Sequence, residues 1–170
     1  MYVKLGPYPE GEEKRKVEVQ IDRYDTWGMD HTLSYIIHPM LIQLKATKHG
    51  APWVDDEDVP EELKSTSAPP LTQEETDWGS VDALHENRWD WVLDEMIWAF
   101  AQILDDDADS QFHSGVHDFD FVQVEGSEFS ELKYGPNHTH VFDREGYDAW
   151  AARKQNALKL FGKYFQNLWD

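Results

Sequence analysis

From Leu84 to Leu104, the residues Leu84, Trp89, Val92, Leu93, Met96, Ile97, Phe100, Ile103 and Leu104 share one wide apolar face at helical spacing. A helix with such a face must bury it against other elements. Ser80 is the expected cap. Asp105-Asp106-Asp107 is the expected end, because acids at a helix C-terminus oppose the dipole. Two further segments carry the same period. Leu33, Ile36, Ile37, Met40, Leu41 and Leu44 define a first helix, capped by Thr26 or Asp30 and closed by His49-Gly50. Pro39 lies inside it and is expected to kink or divide it near His38. The last helix is expected to start at Asp143, with Glu145 in its first turn. It lines up Tyr147, Trp150, Ala151, Ala157, Leu158, Phe161, Tyr164, Phe165 and Leu168 and is expected to run nearly to the last residue.

Short β signals surround these helices. Val17, Val19 and Ile21 alternate with Glu18, Gln20 and Asp22, as in a half-buried strand. Phe119, Phe121, Val122 and Val124, then Glu125-Gly126-Ser127, then Phe129, Leu132 and Tyr134 predict a hairpin. A lone hairpin is marginal, so its expected partner is the first strand. Residues 1–13 read as an extended arm. Residues 49–79 read as a long acidic loop holding Pro52, Pro60, Pro69 and Pro70. Trp53, Val54, Leu63 and Trp78 are expected to pin that loop, and Pro60-Glu61-Glu62-Leu63 to form one helical turn. The fold class is α+β, one domain over residues 1–170: three long amphipathic helices with a small antiparallel sheet and a long Pro-rich loop.

The chain of 170 residues has 15 Lys+Arg against 34 Asp+Glu, net charge −19, and no cysteine. Absence of cysteine excludes a disulfide scaffold, a thiolate metal site and a cysteine nucleophile. The acidity argues against direct nucleic-acid binding, which needs a Lys/Arg surface, and against anionic membrane surfaces. Aromatic residues at 14%, with 8 Trp, argue against disorder. No run approaches the roughly 18 apolar residues of a membrane span. MYVKLGPYPEGEEKRK has no apolar core of a signal peptide, which sets the expectation of action inside a cell. The charge is uneven. Residues 1–48 hold 7 basic and 7 acidic side chains, residues 143–170 hold 5 and 4, and residues 49–142 hold 3 and 23.

Four constellations bear on chemistry. Asp105, Asp107 and Asp109 copy the first ligands of an EF-hand loop, but Ser110 and Val116 stand where Gly and Glu belong, so a solvated loop is expected. His113 and His117 are four apart, and His138 and His140 two apart; with Asp118 or Asp120 they form a candidate divalent-metal site. His31, Ser34 and His38 share a face of the first helix expected to be exposed. Asp82, Glu86, Asp90 and Asp94, with Glu95 beside them, read as a solvated row on the second long helix. Trp91 and Trp98 lie off that helix's apolar stripe, so the long loop or a partner chain must cover them. With Trp53, Asp90 and Asp94 they make a candidate binding surface. No nucleophile elbow, P-loop or dinucleotide fingerprint is present.

Several stretches carry a family resemblance. They are Tyr24-Asp25-Thr26-Trp27, Asp30, Thr32-Leu33, Pro39-Met40-Leu41, Lys48-His49-Gly50-Ala51-Pro52, Asp56-Glu57-Asp58-Val59-Pro60 and Arg88-Trp89-Asp90-Trp91-Val92-Leu93-Asp94-Glu95-Met96-Ile97. Gly135-Pro136-Asn137-His138-Thr139 and Leu160-Phe161-Gly162-Lys163-Tyr164-Phe165 complete the set. The chain from about residue 17 onward resembles a family of small uncharacterised proteins of tailed bacteriophages, T4-like and marine. The resemblance implies an accessory protein in the host cytoplasm and no particular chemistry. The leading expectation is a binding protein that engages a host or phage protein, or a small ligand, through the acidic, Trp-rich surface, as inhibitor or sequestering agent. The alternatives are a metal-dependent hydrolase at the histidines and a virion or assembly component. A homodimer through Trp91 and Trp98 is a further expectation.

Overall fold

The computed structural model describes residues 1–6 and 14–169. Three long helices form the body: α1 (Met29–Thr47), α3 (His85–Leu104) and α4 (Arg144–Lys163), with a short α2 (Gln73–Asp77) between the first two. The wide apolar face of α3 puts it in the middle, where it packs against both α1 and α4. Trp89, Val92, Leu93, Met96 and Phe100 of α3 meet Leu41 of α1 and Leu160 of α4, with Tyr164 just beyond, in one core. The α+β class stands.

Helix ends differ from expectation in three places. α1 starts after Gly28 with no side-chain cap; Asp30 sits in its first turn, and Thr26 Oγ1 donates to the Arg23 carbonyl instead. Pro39 does not divide α1, which is continuous to Thr47. It lies on the exposed side, where water can take the carbonyl that loses its N–H partner. α3 begins at His85 rather than after Ser80. Asp82 takes the Leu84 N–H at 2.9 Å and holds the Arg88 guanidinium, so the chain is still turning at residues 82–84. Asp143 does cap α4, accepting from the Gly146 N–H. The helix ends at Lys163, short of the expected run, because Tyr164 turns inward and a 3-10 turn, Phe165–Asn167, follows.

Residues 49–79 are a strap tied to the body, not a free loop. Val54 and Val59 enter the core, and 3-10 turns cover Asp56–Asp58, Glu61–Leu63 and Ser65–Ser67. Tyr164 Oη donates to Asp58 at 2.5 Å and accepts from the Asp55 N–H. Lys163 pairs with Asp55 and Asp58. The Arg88 guanidinium donates to the Leu63 carbonyl, and His85 Nε2 pairs with the Ala51 carbonyl. Of the expected pins, Val54 is buried and Leu63 half-buried. Trp53 and Trp78 are 67% and 81% exposed; Trp53 makes only a tilted contact with the His85 ring at 6.0 Å. Indole anchoring is replaced by polar anchors that the strap's carbonyls and carboxylates find on α3 and at the end of α4.

Among the described residues, the strands form three two-stranded ribbons rather than one sheet. The first predicted strand, β2 (Val17–Gln20), does not pair with the hairpin. Its partner is β1 (Tyr2–Leu5), inside the expected N-terminal arm; the rest of that arm, residues 7–13, lies outside the described residues. Pairing Val3 with Val19 and Leu5 with Val17 stacks apolar side chains across neighbouring segments, and the short loop costs less closure entropy than reaching the hairpin would. The hairpin itself forms as predicted: β4 (Phe119–Gln123) pairs with β5 (Ser130–Tyr134) around Gly126, whose φ of +75° suits only glycine. The third ribbon pairs β3 (His113–Ser114) with β6 (Val141–Phe142).

These last two ribbons form one arm. His113 faces Phe142 and Phe119 faces Tyr134, so six steps on one strand span eight on the other. The two extra residues are taken up by the Gly135–His138 turn, closed by the His138 N–H to the Gly135 carbonyl. The arm's base is fastened to α4 by Phe112, which packs edge-on to Tyr147 and tilted on Trp150.

Candidate metal centre

The break in register is where the histidines meet. His113 lies on β3, His117 between β3 and β4, and His140 just before β6. One ring nitrogen from each lies within 4.8 Å of the others. His113 Nδ1 and His140 Nε2 are 3.0 Å apart. Neighbouring ligands of a tetrahedral zinc with Zn–N of about 2.0–2.1 Å are separated by about 3.3 Å, so this pair needs only a few tenths of an ångström of adjustment, while the separations to His117, up to 4.8 Å, have to close further. His117 stacks on His140 with ring centroids 3.8 Å apart, and His113 stacks on Phe142.

Backbone geometry builds the cluster. Gly115 sits between His113 and His117 with φ +78°, and a Cβ there would lie 2.2 Å from the Thr139 carbonyl oxygen. Only glycine lets the two strands approach this closely. Thr139 closes the contact from the other side: its N–H donates to the Val116 carbonyl, and its Oγ1 accepts from the Val116 N–H. Neither residue is a donor to a metal, and the reading of the histidine spacing alone does not find them. The available signal was a glycine midway between two histidines.

Three of the six expected ligands come together and three do not. Asp118 faces away: its Oδ2 accepts from the Asn137 N–H at 2.8 Å. Asp120 accepts from the Phe121 N–H on exposed β4. His138 lies beside the cluster, its ring centroid 6.1 Å from His117 and 6.3 Å from His140, packed on Tyr134 at 4.2 Å. The rule that residues two apart in a strand share a face fails for His138 and His140, because His138 ends a turn. The donor set is therefore three imidazoles without carboxylate. Burial holds the His140 imidazole below its ordinary pKa, and the neighbouring His117, His113 and His138 add to this. His140 thus stays neutral, the form that ligates, to lower pH than an isolated histidine.

The other expected sites are occupied by intramolecular contacts. Asp90 and Glu86 pair with Lys48, Asp94 with Lys45, Asp82 with Arg88 and Glu95 with Arg153. Glu86, Asp90 and Asp94 keep about half of their side chains in solvent, as expected, while pairing with Lys48 and Lys45; Asp82 and Glu95 are withdrawn from solvent by Arg88 and Arg153. Trp98 is covered by the Arg153 guanidinium at 3.9 Å, and Trp91 packs at the edge of the core. Neither the strap nor a partner is needed for Trp98. Of the expected binding surface, Trp53 and Asp94 are exposed, and Trp91, Trp98 and Asp90 are half-buried. Ser34, expected outside, is fully buried and donates to the Asp30 carbonyl. Its small side chain lets α1 approach α3. The aspartates of the EF-hand-like run form an exposed turn in which Asp105 Oδ1 accepts from the Asp107 N–H.

The chain matches no protein-family model, no curated protein and no solved structure. Among the described residues, no helix is long and apolar enough to cross a membrane.

Proposed function

We propose that the protein binds a divalent transition metal, zinc before others, through His113, His117 and His140. The observation that carries this reading is the convergence of three imidazole nitrogens within 4.8 Å on a backbone that only Gly115 permits. Neutral imidazoles suit zinc, copper and nickel better than calcium or magnesium, which prefer oxygen. Three protein ligands leave one tetrahedral position for an exchangeable ligand, the pattern of reactive rather than purely structural zinc. The hydrolase chemistry expected with Asp118 or Asp120 gains no support, since both carboxylates bind backbone amides of the arm.

The test is calorimetric titration of metal-free protein with zinc. About one equivalent is expected, and His117→Ala and His140→Ala should each weaken binding at least ~10-fold. Uptake below about a tenth of an equivalent, with no thermal shift, would refute the reading.

A second reading, contact with a protein partner, moves from α3 to the arm. Phe119, Phe121, Leu132 and Tyr134 share one face of the β4–β5 pair, and all are exposed. Sedimentation of wild type beside Phe121→Ser would show whether this face joins two copies: the reading needs a dimer that the variant loses.

A further inference from the structure

His138 is the member of the histidine group that the metal reading leaves unused, and its surroundings define what it does. Its Nδ1 accepts the backbone N–H of Asp118 at 3.3 Å. A backbone amide can only donate, so Nδ1 must present its lone pair. A neutral His138 therefore carries its proton on Nε2. That proton makes Nε2 a donor and removes it as a metal ligand. To ligate through Nε2, the ring would need its proton on Nδ1, facing the Asp118 N–H.

The ring is held in this pose. It packs on Tyr134 at 4.2 Å, and the turn beneath it is fixed by the Asp118 carboxylate, which accepts from the Asn137 N–H. A Cβ on Gly135 would lie 2.3 Å from the same carboxylate, so the turn and Asp118 are packed against each other. His138 thus stands about 6 Å, centroid to centroid, from both His117 and His140. His138 is not among the three residues whose ligand atoms lie within 4.8 Å of one another, so it flanks that group rather than completing it.

We infer that His138 is the hydrogen-bond donor for an exogenous oxyanion on the open metal position. The inference rests on the metal reading above. A carboxylate or phosphate fits the chemistry: one oxygen completes the coordination of a divalent ion with three neutral ligands, and a second accepts the Nε2 proton. Charge-assisted hydrogen bonds of this kind are the strong ones. The side chain positions the ligand, not the metal.

The test has two arms. In metal-free protein at about pH 8, imidazole nitrogen shifts read by NMR should show His138 as the Nε2–H tautomer, unchanged when zinc is added. In cobalt-loaded protein, the visible bands report titration with acetate or inorganic phosphate. His138→Ala should weaken anion binding about 10-fold while cobalt affinity changes less than about threefold, and His138→Gln, which keeps a donor, should recover most of the loss. The inference is overturned by an Nδ1–H tautomer, by a roughly 100-fold loss of cobalt affinity in His138→Ala, which would make it a ligand, or by unchanged anion affinity. Wild-type protein that takes up no cobalt overturns the metal reading and this inference with it. That failure is told apart because the tautomer is read without metal.

Discussion

Replacing Arg88 by Met removes the most deeply buried charge of the described residues and with it the anchor of the strap. The side chain is 1% exposed, and its fork spans both oxygens of Asp82 at 3.0 and 2.5 Å while donating to the Leu63 carbonyl at 3.1 Å. Asp82 itself is 13% exposed. In Arg88→Met the carboxylate keeps the Leu84 N–H but loses its counter-charge, and the Leu63 carbonyl loses its donor. Breaking a buried pair on one side costs about 3–5 kcal/mol. With an unfolding entropy of about 2.1 cal/mol/K per residue, this chain should lose about 8–14 °C in melting temperature. Asp82→Leu should cost a similar amount, since it strands the guanidinium. The double variant Arg88→Met/Asp82→Leu should lie closer to wild type than either single, because an apolar pair of similar volume avoids the desolvation of two ions. Urea unfolding of the four proteins closes the cycle. The pH adds a sign. Arg88 holds the Asp82 carboxyl below the usual carboxylate range, so the pair stabilises the fold above about pH 4 and the gain is lost as pH falls through the folded value. The gap between wild type and Arg88→Met should therefore narrow in acid. Single variants that lose less than about 1 kcal/mol, or a double variant that loses the sum, would refute the reasoning.

Gly115→Ala should weaken zinc binding at least ~10-fold in calorimetry, because the methyl group collides with the Thr139 carbonyl and parts the strands that carry the ligands. Zinc should slow amide exchange in residues 112–118 and 135–143 and leave the centre of α3 unchanged, since the ligands staple the arm and not the core. Tyr164→Phe should cost about 1–3 kcal/mol in denaturant melts by freeing Asp58 and the Asp55 N–H. Burial and the Asp58 contact push the Tyr164 hydroxyl up to about 12, so wild type should lose stability as pH rises from about 10 toward that value. The Phe variant should not show this loss.

The three long helices were legible because their apolar residues repeat at a period that only a helix can satisfy. Trp89, Val92, Leu93 and Met96 were placed on the α3 face that forms the core. The hairpin was legible from its alternation and from Gly126. Helix starts were less so. Ser80 has the chemistry of a cap, but Asp82 is engaged by Arg88, six residues on, and turns the chain first. Of the site, the four histidines were visible as two pairs, and their grouping was not. Which three converge depends on a two-residue slip between strands, which spacing along the chain does not encode, and on Gly115, visible in the sequence only as a glycine midway between two histidines.

The charge distribution shows the same division. Composition alone determines that the acids concentrate between residues 49 and 142 and that the flanking helices are nearly neutral. Those properties, with the helical period and the absence of cysteine, are sums and repeats of side chains and hold in any conformation. What the acids do is decided only in three dimensions. Lys45 on α1, Lys48 just after it, Arg153 on α4 and Lys163 at its end reach across to Asp94, Asp90, Glu86, Glu95, Asp55 and Asp58. Part of a pattern that reads as an open acidic surface is a set of bridges between elements far apart in sequence. The histidines follow the same logic. Their chemistry is written in the chain, but a metal centre needs lone pairs that converge, and convergence is a property of packed backbone.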